Sequence, residues 1–131
     1  MATSCSSKPR LAALVLFMLS CIISGCERTG PAAPEALLSS RGERRAGALL
    51  FAEHCAICHG ARGDGAGLRQ NGFAPPPDLR LPPWSQRAHA GRTFLAIRSG
   101  VRETAMAPWP TLSDRQTWEL VAFIEAQAQR R

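Results

Sequence analysis

Cys55-Ala56-Ile57-Cys58-His59 sets two thiols and one imidazole within five consecutive residues, and few short motifs constrain a chain as tightly. A C-x-x-C-H run is the spacing at which two cysteines add across the vinyl groups of one haem while the following histidine becomes the proximal iron ligand. The other uses of a C-x-x-C pair need neighbours that this chain lacks. A redox dithiol belongs near a βαβ pattern and has no ligating histidine, and a structural zinc site needs a second ligand pair at matching spacing. We therefore expect one covalently attached haem c, held by Cys55 and Cys58, with His59 on the iron.

With 131 residues there is length for one small domain, but the first quarter reads differently from the rest. Lys8 and Arg10 precede thirteen uncharged residues, Leu11 to Ile23. That stretch suits an export signal and falls short of the roughly 20 residues needed to span a bilayer. Its end, Ile23-Ser24-Gly25-Cys26, resembles the bacterial lipoprotein cleavage box, in which the cysteine receives lipid and becomes the mature N-terminus. Residues 1–25 are expected to be a lipoprotein signal and Cys26 its acylated residue. An ordinary cut near Gly25, leaving a soluble periplasmic protein with a free thiol, is the alternative.

These assignments use every cysteine. Cys5 and Cys21 leave with the signal, Cys26 carries lipid, and Cys55 and Cys58 carry haem, so no thiol remains for a disulfide. Small exported domains usually need a staple, and a buried covalent haem supplies one. Beyond Cys26, fourteen basic residues face ten acidic ones, a net +4. No arginine cluster with interleaved aromatics accompanies that balance, which argues against a nucleic-acid partner. Lys8 is the only lysine, so basic contacts of the mature chain fall to arginine.

Glu27 to Pro34 has two prolines, a glycine and no apolar period, so residues 26–39 read as a flexible tether. The thirteen residues Glu27 to Ser39, at about 3.3 Å each, would reach roughly 40 Å. The domain is expected over residues 40–131. Ser40-Arg41-Gly42-Glu43 has capping-box form and predicts a helix from about Gly42 to Glu53, with Gly47, Leu50, Phe51 and His54 on its inner face. From Gly60 to Asp78, five glycines and three prolines predict an irregular loop around the haem edge. Gly63-Asp64-Gly65-Ala66-Gly67 is not a phosphate loop, since no strand precedes it and no Lys-Ser/Thr follows. Pro75-Pro76-Pro77 should be extended, and the Pro77 carbonyl is the candidate partner for the second ring nitrogen of His59.

A middle helix is expected from about Gly91 to Ser99, with Phe94, Ile97 and Val101 on one stripe and Gly100 as its stop. Met106 is the only methionine beyond the signal, and it stands in the proline-fixed stretch Thr104-Ala105-Met106-Ala107-Pro108-Trp109-Pro110. A thioether there is a suitable sixth ligand for low-spin haem. Ser113-Asp114-Arg115-Gln116 opens a last helix to about Gln129, with Thr117, Leu120, Val121 and Ile124 inward and Arg130 and Arg131 at its C-terminal dipole.

From Ser40 to Gln129 the chain resembles the class I monohaem cytochromes c, and is similar to the haem domains of cbb-type oxidases and dehydrogenase-linked cytochromes. Gly47 and Phe51 stand eight and four residues before the first haem cysteine, as in that family. Leu120 to Phe123 matches the leucine and aromatic of its last helix, and Pro77, Leu79 and Met106 match its loops. Ala107 departs from the pattern, since proline usually follows the axial methionine directly. The resemblance implies an all-α fold of three to four helices wrapped around the haem, with the first and last helices crossing closely at Gly47.

The function expected is electron transfer rather than enzymatic catalysis: a membrane-tethered periplasmic carrier, moving one electron between a reductase or dehydrogenase and an oxidase or reductase. Its exposed haem edge would lie near Ala56, Ile57, Pro108 and Trp109, with Arg62 and Arg102 around it. The alternative is a haem sensor or peroxidase-like protein in which Met106 dissociates, although nothing supplies a distal acid-base pair. Ligation by His89 in place of Met106 is a third possibility, with solvated positions the default for both His54 and His89.

Overall fold

The computed structural model describes residues 30–128. The proposed signal, Cys26 and the terminal pair Arg130 and Arg131 lie outside them. The described residues form five α-helices and no strand: α1 (Glu35–Ser39), α2 (Arg41–His54), α3 (Ala56–His59), α4 (Ala90–Ser99) and α5 (Asp114–Gln127). A 3-10 turn, Arg87–His89, leads into α4. The three long helices are the ones the sequence predicts, with ends displaced by a residue or two, and the fold of the described residues is all-α, as expected.

Helix α5 is the centre. A full capping box starts it, with the Gln116 N–H donating to Ser113 Oγ at 3.2 Å and the Ser113 N–H donating to Gln116 Oε1 at 2.9 Å. Its burial exceeds a single stripe. Every residue from Thr117 to Glu125 is buried, because α1, α2 and α4 all pack against it. Two acids are caught in this burial. Glu125 is matched by Arg87 Nε at 2.7 Å and Glu119 by Arg115 Nε at 3.1 Å. Burial pushes both carboxyls above their ordinary range, and the arginines offset part of the rise.

Helix α2 crosses α5 at Gly47, where an added Cβ would stand 1.9 Å from the Glu119 carbonyl oxygen. The crossing brings Phe51 onto Phe123 with ring centroids 4.9 Å apart. Only half of the capping box expected at Ser40 forms. Ser40 Oγ accepts from the Glu43 N–H at 3.4 Å, but the Ser40 N–H donates to Leu37 O and the Glu43 carboxylate turns to Arg115.

Flexibility up to Ser39 is corrected by α1. Glu35–Ser39 is helical and Leu38 is only 1% exposed, inside the core formed with α5. The reason is tertiary: five residues carry too little of a period to show a helix, yet α5 provides an apolar surface that Leu38 can cover. Leu38→Ala is therefore expected to cost about 2–5 kcal/mol, as for other buried leucines. Denaturant midpoints of the haem-loaded protein check this, and a loss below about 0.5 kcal/mol, the scale of a surface change, would return the segment to the tether.

Candidate haem site

Cys55 caps α2, and Ala56–His59 continues as the single turn α3. The Cys55 carbonyl accepts from the N–H groups of Cys58 at 3.1 Å and His59 at 2.9 Å. In a helical turn, residues at i, i+3 and i+4 share a face, so Cys55, Cys58 and His59 all point to one side. That side is a cleft of about 310 Å³, within the size range of ligand sites. Its walls are mostly apolar, with Leu79, Ile97 and Trp84 among them, and Met106, Pro77 and His54 line it too.

Two features of the motif match a tetrapyrrole held by two sulfurs and a nitrogen. Both thiols are free and half-buried. Burial, with Cys58 beside it, pushes the Cys55 thiol up to about 11. A redox dithiol needs the opposite shift, towards thiolate, so the environment disfavours thioredoxin-like chemistry. His59 Nδ1 is buried with no hydrogen bond of good geometry. Burial lowers the basicity of its ring, while the Pro77 backbone carbonyl acts in the opposite sense. That carbonyl is thus near enough to favour a ring proton, although the angle or distance of a full hydrogen bond is not met. Zinc finds no support, since among the described residues no three His, Cys, Asp or Glu side chains gather as a metal site.

Loop geometry brings Pro77 here. The Gly65 N–H donates to His59 O at 2.8 Å, and a Cβ on Gly65 would lie 2.6 Å from Pro76 O, so only a bare backbone fits between the haem motif and the proline run. The Leu79 N–H then donates to Gly63 O at 2.7 Å and closes the loop, as the glycine-rich composition predicts.

Residues 42–124 match the model of the family described as cytochrome C oxidase, cbb3-type, subunit III. The chain belongs to this family. It is a class I monohaem cytochrome c, its cofactor is covalently attached haem c, and Cys55 and Cys58 occupy the attachment motif. No curated protein matches the chain. The cytochrome c domain makes the protein a haem-based electron carrier and points to export. Among the described residues, no helix is long and apolar enough to cross a membrane.

In the same cleft as the C-x-x-C-H turn, the Met106 loop of the cytochrome is tied at both ends. The Met106 N–H donates to Thr104 Oγ1 at 3.1 Å, and the Met106 carbonyl accepts from the Val101 N–H at 3.0 Å. The Thr104 hydroxyl itself donates to Val101 O at 2.7 Å. Beyond the loop, the Trp109 N–H reaches Ile97 O at 3.1 Å, and Arg98 donates to the Leu112 carbonyl. The sequence places Thr104 at the start of this stretch without showing its role, although a threonine two residues before a fixed backbone N–H is a recognisable local motif. Thr104→Val removes both bonds of the hydroxyl and should cost about 1–3 kcal/mol, whereas Thr104→Ser should retain them. Thermal midpoints of the two haem-loaded variants make the comparison.

Other expectations change. His54 is not simply solvated: it lines the cleft and its ring meets that of Trp109 at 5.2 Å. His89 ends the 3-10 turn, its Nδ1 is buried, and it does not line the cleft. Arg62 is not available for steering alone, because it pairs with Asp64 at 3.2 Å.

Proposed function

We propose that this cytochrome is a periplasmic one-electron carrier tethered to the membrane through acylated Cys26, with His59 and Met106 as its axial ligands. The observation that carries the reading is that Met106 lines the same cleft as Cys55, Cys58 and His59, on a loop whose backbone is held on both sides of the sulfur. Haem c held by these residues would supply one-electron chemistry between ferrous and ferric states, and two protein ligands, His59 and Met106, would leave little to reorganise. In this arrangement His59 would hold the iron through Nε2, and the Pro77 carbonyl, which already favours a ring proton, would fix the ring and raise its donor strength by accepting from Nδ1. His89 is disfavoured as a ligand by its place outside the cleft.

Transfer would occur through the exposed edge at Ile57, which is 67% exposed, and Leu68, 59% exposed, whose N–H donates to Ile57 O. A small apolar rim of this kind suits brief encounters that bury little area. The test is the absorption spectrum of the purified ferric protein. A weak band at the red end marks thioether ligation, and its absence sinks the His/Met assignment. Fractionation tests the anchor: Cys26→Ser is expected to release haem-loaded protein into the soluble fraction, and sedimentation with membranes after a high-salt wash would refute acylation as the attachment.

A further inference from the structure

Residues 30–39 do not hang from the domain; they are bound to it along their length. Gly30, at φ 76°, lies against the first turn of α4, where a Cβ would stand 2.0 Å from the Gly91 carbonyl oxygen. Ala33 and Leu37 pack on the core, and Leu38 is inside it. Between them, Glu35 meets Arg87 at 2.5 Å, and the same guanidinium reaches Glu125 of α5 at 2.7 Å. Apolar burial, a close backbone contact and a bridged pair of carboxylates thus hold one ten-residue strap.

A bound strap shortens the leash. Only Glu27, Arg28 and Thr29 stand between Cys26 and Gly30. Four Cα-to-Cα steps reach at most about 14 Å, against roughly 40 Å had the strap been free. We infer, on the reading that Cys26 is acylated, that the strap holds one corner of the domain at the bilayer surface. That corner comprises Gly30, the 3-10 turn Arg87–His89 and the first turn of α4, and its partner is the lipid headgroup layer. The holding is geometric, since Arg87 is already matched by two carboxylates and is not spent on anionic lipid. A domain so held presents its haem cleft to partners lying in or on the same membrane, at the high effective concentration that a short leash gives.

The test uses the full acylated, haem-loaded protein in vesicles made with and without a nickel-chelating lipid. A nitroxide is placed on Ala88→Cys, an exposed position in the 3-10 turn. Nickel-dependent relaxation of this label is expected to be strong with the native leash. It should be lost when a flexible Gly/Ser segment of about twenty residues, with a root-mean-square span of roughly 25 Å, is inserted between Thr29 and Gly30. Haem absorbance reports that both proteins are folded, and flotation with the vesicles reads the anchor separately. Equal relaxation in the two floating proteins, whether strong or weak, overturns the held corner and leaves acylation standing. If neither protein floats, acylation fails and the proposal with it.

Discussion

Met106→His is expected to lower the reduction potential by roughly a few hundred millivolts, within the span that axial ligands cover, while the haem stays low-spin. A thioether is soft and neutral and favours ferrous iron; an imidazole favours it less. Met106→Ala should part from this, giving a high-spin or water-ligated protein that binds carbon monoxide. The loop makes both results readable. Its hydrogen bonds at Met106 run through the backbone N–H and carbonyl, so replacing the side chain leaves those ties in place. Gly100 adds a second restraint, because a Cβ there would stand 2.7 Å from the Met106 carbonyl oxygen and only a bare backbone fits. Redox titration and spectra with and without carbon monoxide decide the matter. Should Met106→Ala keep the parent spectrum and potential, the sixth ligand lies elsewhere and the His/Met geometry must be abandoned.

Much of this site was legible because its determinants are local. The i, i+3, i+4 geometry of Cys55, Cys58 and His59 follows from one helical turn, and the Ser113 cap and the Gly100 stop act within a few residues of themselves. Residues whose roles depend on distant partners were not legible. Arg87 is an unremarkable surface residue in the sequence, yet its carboxylate partners lie 52 and 38 residues away. Leu38 follows a proline- and alanine-rich run that reads as linker, and nothing nearby shows that α5 will bury it. The half-formed cap at Ser40 has the same origin, since Glu43 finds Arg115, 72 residues on, instead of its own N-cap. In each case a contact with, or beside, the central helix overrides a local pattern.

Gly47→Val is expected to cost about 3 kcal/mol or more, at the upper end of overpacking effects. A Cβ at this position would lie 1.9 Å from Glu119 O, 2.4 Å from its carbonyl carbon and 3.1 Å from the Leu120 nitrogen. All three atoms are backbone, so no side-chain rotation relieves the collision; one helix has to move. Helix α5 has nowhere to retreat, because Leu120, Val121 and Ala122 are 0% exposed and α1 and α4 pack against it as well. Helix α2 is no freer, since it ends in the haem-bearing turn and carries Phe51, 1% exposed, against Phe123. Moving α2 outward would also shift Cys55 relative to the cleft, so haem loading should fall along with stability. Ala48→Val, one residue on and only half-buried, adds the same branched side chain at the rim of the core, beside an open pocket. It should cost no more than about 1 kcal/mol, mostly helix propensity. Denaturant midpoints and haem-to-protein ratios of the two variants provide the comparison, and equal losses would show that the crossing at Gly47 does not set the approach of α2 and α5.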